Sequence, residues 1–387
     1  MQSRRLSELP PYLFVEIDRK KRARAASGRP VLDLGIGDPD LGAPPSLVRS
    51  LCAALDWPAH HRYPSERGLP ALVEAIRDWA ARRHGVVLEA REILVTIGSK
   101  EAIAHLPLAV ADAGDVVLVP DPGYPVYNSA AVFAAAEPVR VPLREGNAYW
   151  PEIEAVGRER LRRARLLFLN YPNNPTAAVA GEERWLEALD LCRRRGIILV
   201  NDAAYCEIFY ERRPAALFPL ARESGAAYLE IFSFSKTFSI TGWRVGFVIG
   251  SPEIVAALAR LKSNVDSGVF GAIQAAVAET LVSRYDEITS AVVGVYRERR
   301  DLLAGFLERG GYSFTLPGAT FYFWVAVPGG GPSLDFCARL LDETGIVAAP
   351  GIGFGPGGEG YFRLSITAPL DTIRAAGEKL AARGARG

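Results

Sequence analysis

Between residues 92 and 250, short apolar runs alternate with stretches of helical periodicity, and this alternation limits the fold more than any other feature. The spacing predicts strands at 92–97, 115–119, 138–142, 166–169, 197–200, 228–233 and 245–249. It predicts helices at 45–55, 69–84, 100–112, 125–135 and 181–195. Several strands, such as Leu166-Leu167-Phe168-Leu169 and Ile197-Ile198-Leu199-Val200, are apolar throughout. A strand of that kind is buried on both faces. Strand–helix alternation therefore predicts an α/β fold with a mainly parallel mixed sheet and helices on both faces. Ligands of such sheets bind beyond the carboxyl ends of the strands.

The flanks read differently. Leu9-Pro10-Pro11-Tyr12-Leu13-Phe14 and a basic helix over 15–26 form an N-terminal arm, residues 1–30. A short strand, Val31-Leu32-Asp33-Leu34, opens Gly35-Ile36-Gly37-Asp38-Pro39-Asp40. Two glycines there let a ligand approach the backbone. A dinucleotide fingerprint is excluded, since the third glycine is missing and Pro39 interrupts. After about 265 the pattern becomes α+β. A long helical region spans 269–309, followed by a strand at 320–327 and a helix at 333–344. A glycine-rich stretch, 351–360, precedes a strand at 361–366 and a last helix from Asp371. Residues 44–265 are thus assigned to a large domain, and 31–43 with 266–387 to a smaller α+β domain.

At 387 residues the chain is long enough for both cores. A formal charge of +1 gives no basis for a nucleic-acid partner or an acidic membrane surface. Cys52, Cys192, Cys206 and Cys337 are scattered, and the four histidines lack ligand spacing, so no metal site is expected. No apolar run reaches the length of a membrane span, and no signal core opens the chain, so a cytoplasmic protein is expected.

Five stretches at predicted strand ends carry polar groups. In Ser233-Phe234-Ser235-Lys236-Thr237, small hydroxyls flank a lysine, and Arg244 follows; together they suit a phosphate. Gly98-Ser99-Lys100-Glu101 opens a helix whose free N–H groups suit an anion, although Ser99 alone could be a simple cap. Asp121-Pro122-Gly123-Tyr124-Pro125-Val126-Tyr127 holds Tyr124 between prolines, which suits a ring stacked on a flat ligand. Asn170-Tyr171-Pro172-Asn173-Asn174-Pro175-Thr176 places the Asn174 amide in extended backbone. Asn201-Asp202-Ala203-Ala204-Tyr205 puts a carboxylate and a phenol at one strand end. Each is weak alone, since an Asn-Pro turn or a core tyrosine is common; their convergence on one sheet edge is the signal.

The order Gly-Ser-Lys, Asp-Pro-Gly-Tyr, Asn-Asn-Pro-Thr, Asp-x-x-Tyr, Ser-x-Ser-Lys and Arg-x-Gly resembles the class I/II aminotransferases of fold type I, over nearly the whole chain. The resemblance implies pyridoxal 5'-phosphate as cofactor. Lys236 then carries the cofactor and moves the substrate proton, and Asp202 faces the ring nitrogen. Asn174 and Tyr205 hold the ring oxygen, and Tyr124 stacks on the ring. Ser99, Lys100, Ser233, Ser235 and Arg244 surround the phosphate. Arg363 and Gly37 contact the substrate carboxylate. Tyr63 reaches the phosphate of a partner subunit, which implies a homodimer with shared sites. Leu-Pro-Pro-Tyr-Leu-Phe, Asp-Leu-Gly-Ile-Gly-Asp-Pro-Asp and Ser-Asn-Val-Asp-Ser-Gly-Val-Phe look like the LL-diaminopimelate aminotransferase group, where Tyr12 matches a substrate contact. Ala177, in place of the usual glycine, and Ser239-Ile240, in place of Asn-Met, depart from the pattern.

The implied reaction is a ping-pong transfer of an amino group from an amino acid to a 2-oxo acid such as 2-oxoglutarate, in lysine biosynthesis. Alanine, succinyldiaminopimelate and broad-specificity aminotransferases share much of the pattern. A β-lyase would use the same carbanion. A cofactor-sensing regulator would need a DNA-binding domain, for which the 30 residues before the first strand leave little room.

Overall fold

The computed structural model describes residues 2–9 and 14–384, with backbone alone for 14–16, so Tyr12 lies outside the described residues. After a short strand, β1 (Leu32–Asp33), seven strands build the central sheet. These are β2 (Ile93–Thr96), β3 (Val116–Asp121), β4 (Glu137–Pro142), β5 (Ala164–Leu169), β6 (Ile198–Asp202), β7 (Tyr228–Ser233) and β8 (Gly246–Gly250). Their order is β2-β8-β7-β6-β5-β3-β4. All neighbours are parallel except β8, which runs antiparallel to β2 and β7. Alternate residues feed two cores: Leu167, Leu169 and Leu199 pack on one face, Leu166, Phe168 and Val200 on the other. That two-sided burial is the physical reason these strands are apolar throughout.

Helices at Pro45–Leu55, Pro70–His84, Ser99–Val110 and Glu182–Arg195 stand within two residues of expectation. Helices at Arg158–Arg163, Leu217–Ser224 and Pro252–Val265 were not foreseen. The last begins Ser251-Pro252, and proline in a first helical turn is a signal that marks it. The region 269–309 is not one helix. It is two, Gly271–Ser283 and Tyr285–Arg309, broken at Arg284 (φ −138°, ψ 11°). The break turns Tyr285 into the core against Trp79 and Phe238, an aromatic burial that local periodicity does not register.

A second group of strands follows: β9 (Tyr322–Ala326), β10 (Ile346–Val347), β11 (Ala349–Pro350) and β12 (Tyr361–Ser365). β12 lies between β11 and β9, antiparallel to both. β1 pairs in parallel with β10, Leu32 opposite Ile346, so the N-terminal segment is bound to C-terminal elements. No described helix is long and apolar enough to cross a membrane.

Both departures from the family pattern sit on left-handed backbone. Ala177 has φ 60° and Ser239 φ 52°. Glycine takes that conformation without a Cβ clash, and asparagine tolerates it. Ala177→Gly is therefore expected to stabilise the protein by about 1 kcal/mol, seen as a higher thermal midpoint of the cofactor-free protein. An unchanged or lower midpoint would count against strain at this turn.

Candidate active site

A cavity of about 660 Å³ opens beyond the carboxyl ends of β3, β5, β6 and β7. Its other wall comes from the β1 end, from β10–β11 and from β12. Gly37, Ser99, Lys100, Tyr124, Asn174, Asp202, Tyr205, Ser233, Ser235, Lys236, Arg244 and Arg363 all line it. Tyr63 does not: it is 89% exposed on the surface.

One end is an anion cradle. Gly98 (φ 74°) precedes the helix Ser99–Val110, and a Cβ there would lie 2.5 Å from Arg244 Nη2. Only glycine lets the guanidinium approach the helix start. A Cβ on Gly246 would lie 3.1 Å from Ser99 N and 2.5 Å from Phe232 O, so the turn and the sheet are in backbone contact. Arg244, itself left-handed at φ 54°, donates to Thr241 O at 2.9 Å and reaches Ser235 Oγ at 3.5 Å. Ser233 caps the short helix Phe234–Thr237, accepting from Ser235 N at 3.3 Å. Helix-start N–H groups, hydroxyls and a guanidinium together suit a phosphate.

Asp202 lies at the floor, 5% exposed. Tyr127 Oη donates to its Oδ2 at 2.8 Å, and Asn170 Nδ2 donates to its carbonyl oxygen at 2.6 Å. Its Oδ1 has no hydrogen-bond partner. Burial pushes the carboxyl up to about 6, with the Tyr127 hydroxyl working against it. A buried acceptor without a donor is costly, so this atom marks where a donor on a bound group fits.

Lys236 Nζ donates to Gly37 O at 3.1 Å and lies 5.7 Å from the Phe321 ring. Burial lowers the ammonium to about 8, helped by Arg244, Arg363 and Lys100 and opposed by Asp38. The neutral amine that a nucleophile or proton acceptor requires is thus far more populated near neutral pH than for an ordinary lysine. Tyr205 Oη lies 3.0 Å from Tyr322 Oη, and burial holds the Tyr205 phenol far above its ordinary range, so it stays protonated.

Arg363, on β12, is 6% exposed. Its Nη1 donates to Asn174 Oδ1 at 2.7 Å and its Nη2 to Gly35 O at 2.9 Å. An arginine only donates, so the Asn174 amide turns its oxygen to Arg363 and its NH₂ away. The guanidinium lies 4.0 Å from the Tyr322 ring and 4.8 Å from the Phe354 ring, and its buried Nε has no partner.

Several contributors escaped sequence reasoning. Tyr127 and Asn170 stand inside stretches already singled out. Their cue was position, one in the first turn of a helix after a strand and the other directly on a strand end. Tyr322, Phe354 and Asp18, which also line the cavity or flank Arg363, carried no local cue. Among the described residues Glu101, His105 and Asp266 come together, but Lys262 Nζ bonds both carboxylates, at 2.9 Å and 2.6 Å. The cluster is therefore an ion-pair network rather than a set of open metal ligands.

Known proteins resemble the whole chain. The family described as aminotransferase class I and II matches residues 29–380. An LL-diaminopimelate aminotransferase of Desulforudis audaxviator is 45% identical, covering 98% of this chain and 97% of that protein. Another from Aquifex aeolicus is 42% identical, covering 98% of each. Among solved structures, a probable N-succinyldiaminopimelate aminotransferase of Thermus thermophilus superposes with a TM-score of 0.88 at 35% identity, covering 96% of this chain and 99% of that one.

Proposed function

The chain belongs to the class I and II aminotransferases, and from that premise we propose that it moves the amino group of LL-diaminopimelate to a 2-oxo acid such as 2-oxoglutarate, with pyridoxal 5'-phosphate as cofactor. Full-length likeness to proteins of that name supports the substrate. One observation carries the cofactor: a lysine lowered to about 8 shares a cavity with a buried carboxylate oxygen that lacks a donor.

Ser99, Lys100, Ser233, Ser235 and Arg244 would hold the phosphate, Asp202 Oδ1 the protonated ring nitrogen, Asn174 and Tyr205 the ring oxygen, and Tyr124 the ring face. When bound, the cofactor supplies an electron sink that acidifies the substrate α-carbon. Lys236 Nζ would anchor the cofactor and, once the incoming substrate amine displaces it, would be the free base that takes the substrate α-proton. Arg363 and the backbone at Gly37 orient the substrate carboxylate, with Tyr322 and Phe354 flanking the guanidinium. Asp202, paired with a ring N–H⁺, stays ionised despite its burial.

Tyr63, Trp57 (66% exposed), Val265 (57%) and Phe270 (40%) leave large apolar side chains exposed, which a second copy of the chain would cover. We assign Tyr63 to the phosphate cradle of that second copy, in a homodimer with shared sites. Four free cysteines accord with a reducing, cytoplasmic setting. The pairing of β1 with β10 supports grouping 31–43 with 266–387 apart from 44–265.

With cofactor, LL-diaminopimelate and 2-oxoglutarate, the protein is expected to form glutamate, read by a coupled glutamate dehydrogenase assay. N-succinyl-diaminopimelate, alanine and aspartate complete the donor panel. Glutamate from one of those and none from LL-diaminopimelate would overturn the substrate and leave the family intact.

A further inference from the structure

The glycine-rich stretch 351–360 joins β11 to β12, the strand that carries Arg363. It forms two tight turns, Gly351–Phe354 and Pro356–Gly358. A Cβ on Gly351 would lie 1.9 Å from Gly358 O, and one on Gly358 would lie 2.2 Å from Gly351 O, so the turns pack backbone on backbone. The loop closes on Asp121, the last residue of β3. Gly357 N donates to Asp121 Oδ1 at 2.9 Å, and Gly123 N donates to Phe354 O at 2.8 Å. Gly355 stands at φ 118°, where a Cβ would be 2.3 Å from Asp121 Oδ1.

We propose that Asp121 is a positioning residue for the substrate carboxylate: by seating this loop it sets the Phe354 ring beside the Arg363 guanidinium. The inference rests on the assignment of Arg363 as carboxylate binder. Three observations support its role. Asp121 is 9% exposed, and its one cation among the described residues, Arg140, lies 3.9 Å away on a half-exposed side chain, so general ion pairing does not explain its place. The loop it holds delivers one aromatic side chain, Phe354, to the guanidinium at 4.8 Å. Asp121 itself does not line the cavity, so its carboxylate reaches the guanidinium only through the loop it holds. A guanidinium held between rings and backbone acceptors loses little freedom on binding a carboxylate, and small displacements of such groups are costly.

The test uses the cofactor-loaded enzyme and maleate, an unreactive dicarboxylate, with cofactor affinity measured in parallel. Arg363→Lys is expected to weaken maleate strongly. Asp121→Ala is expected to weaken maleate and raise KM for the amino donor about tenfold, with cofactor affinity unchanged. Asp121→Asn keeps an acceptor for Gly357 N–H and is expected to stay within about twofold of the parent. Phe354→Leu leaves Asp121 in place and is expected to match Asp121→Ala, which keeps the test decisive if the alanine variant folds poorly. Normal maleate binding in Phe354→Leu or Asp121→Ala, alongside weakened binding in Arg363→Lys, would overturn the proposal. A parallel loss of cofactor affinity in Asp121→Ala would also overturn it, showing a merely structural role. Unaltered maleate binding in Arg363→Lys would overturn the Arg363 assignment and this proposal with it.

Discussion

Lys236→Ala is expected to lower turnover about 10⁴-fold, the upper range for a positioned proton-transfer group, and to remove the absorbance of lysine-bound cofactor. The amine lies in the cavity, between Gly37 O and the Phe321 ring. Among the described residues no other amine or imidazole lines the cavity except Lys100, whose ammonium lies over the Tyr124 ring at 5.9 Å. Lys236→Arg keeps the charge but cannot give up its proton, and is expected to fall as far. Near-parental turnover in either variant would refute the role of Lys236. The lowered value of about 8 adds a pH dependence. Attack on an aldehyde needs the neutral amine. Cofactor uptake by the empty protein is therefore expected to quicken as pH rises towards about 8 and to level off above it. A rate that is flat from pH 6 to 9 would contradict this.

Asp202→Asn is expected to reduce kcat about 10³-fold, since a charge pair near 4 Å at an effective dielectric of about 20 is worth roughly 4 kcal/mol. The substitution keeps the size and one acceptor but removes the charge that would hold a ring nitrogen protonated. Tyr127→Phe removes only the hydrogen bond to Oδ2, so its cost is expected to be nearer tenfold. Steady-state kinetics of the two variants, with cofactor occupancy checked by absorbance, separates loss of charge from loss of support. Equal effects, or an Asp202→Asn enzyme with more than half the parental kcat, would rule out the ring-nitrogen assignment.

By itself the sequence determined the alternation of strands and helices, because burial on both faces forces unbroken apolar runs such as 166–169 and 197–200. It also determined which strand ends carry polar groups, because each such group follows its strand within a few residues. The tertiary structure decided everything that joins distant parts of the chain. Arg363 meets Asn174 across 189 positions, Tyr205 meets Tyr322 across 117, and Gly357 meets Asp121 across 236. The break at Arg284 belongs here too, since it exists for the burial of Tyr285 against Trp79, far back in the chain. So does the burial that lowers Lys236 and raises Asp202. Periodicity and turn chemistry are local properties. Desolvation and hydrogen-bond partnership depend on which remote segments arrive, and only the folded chain specifies that.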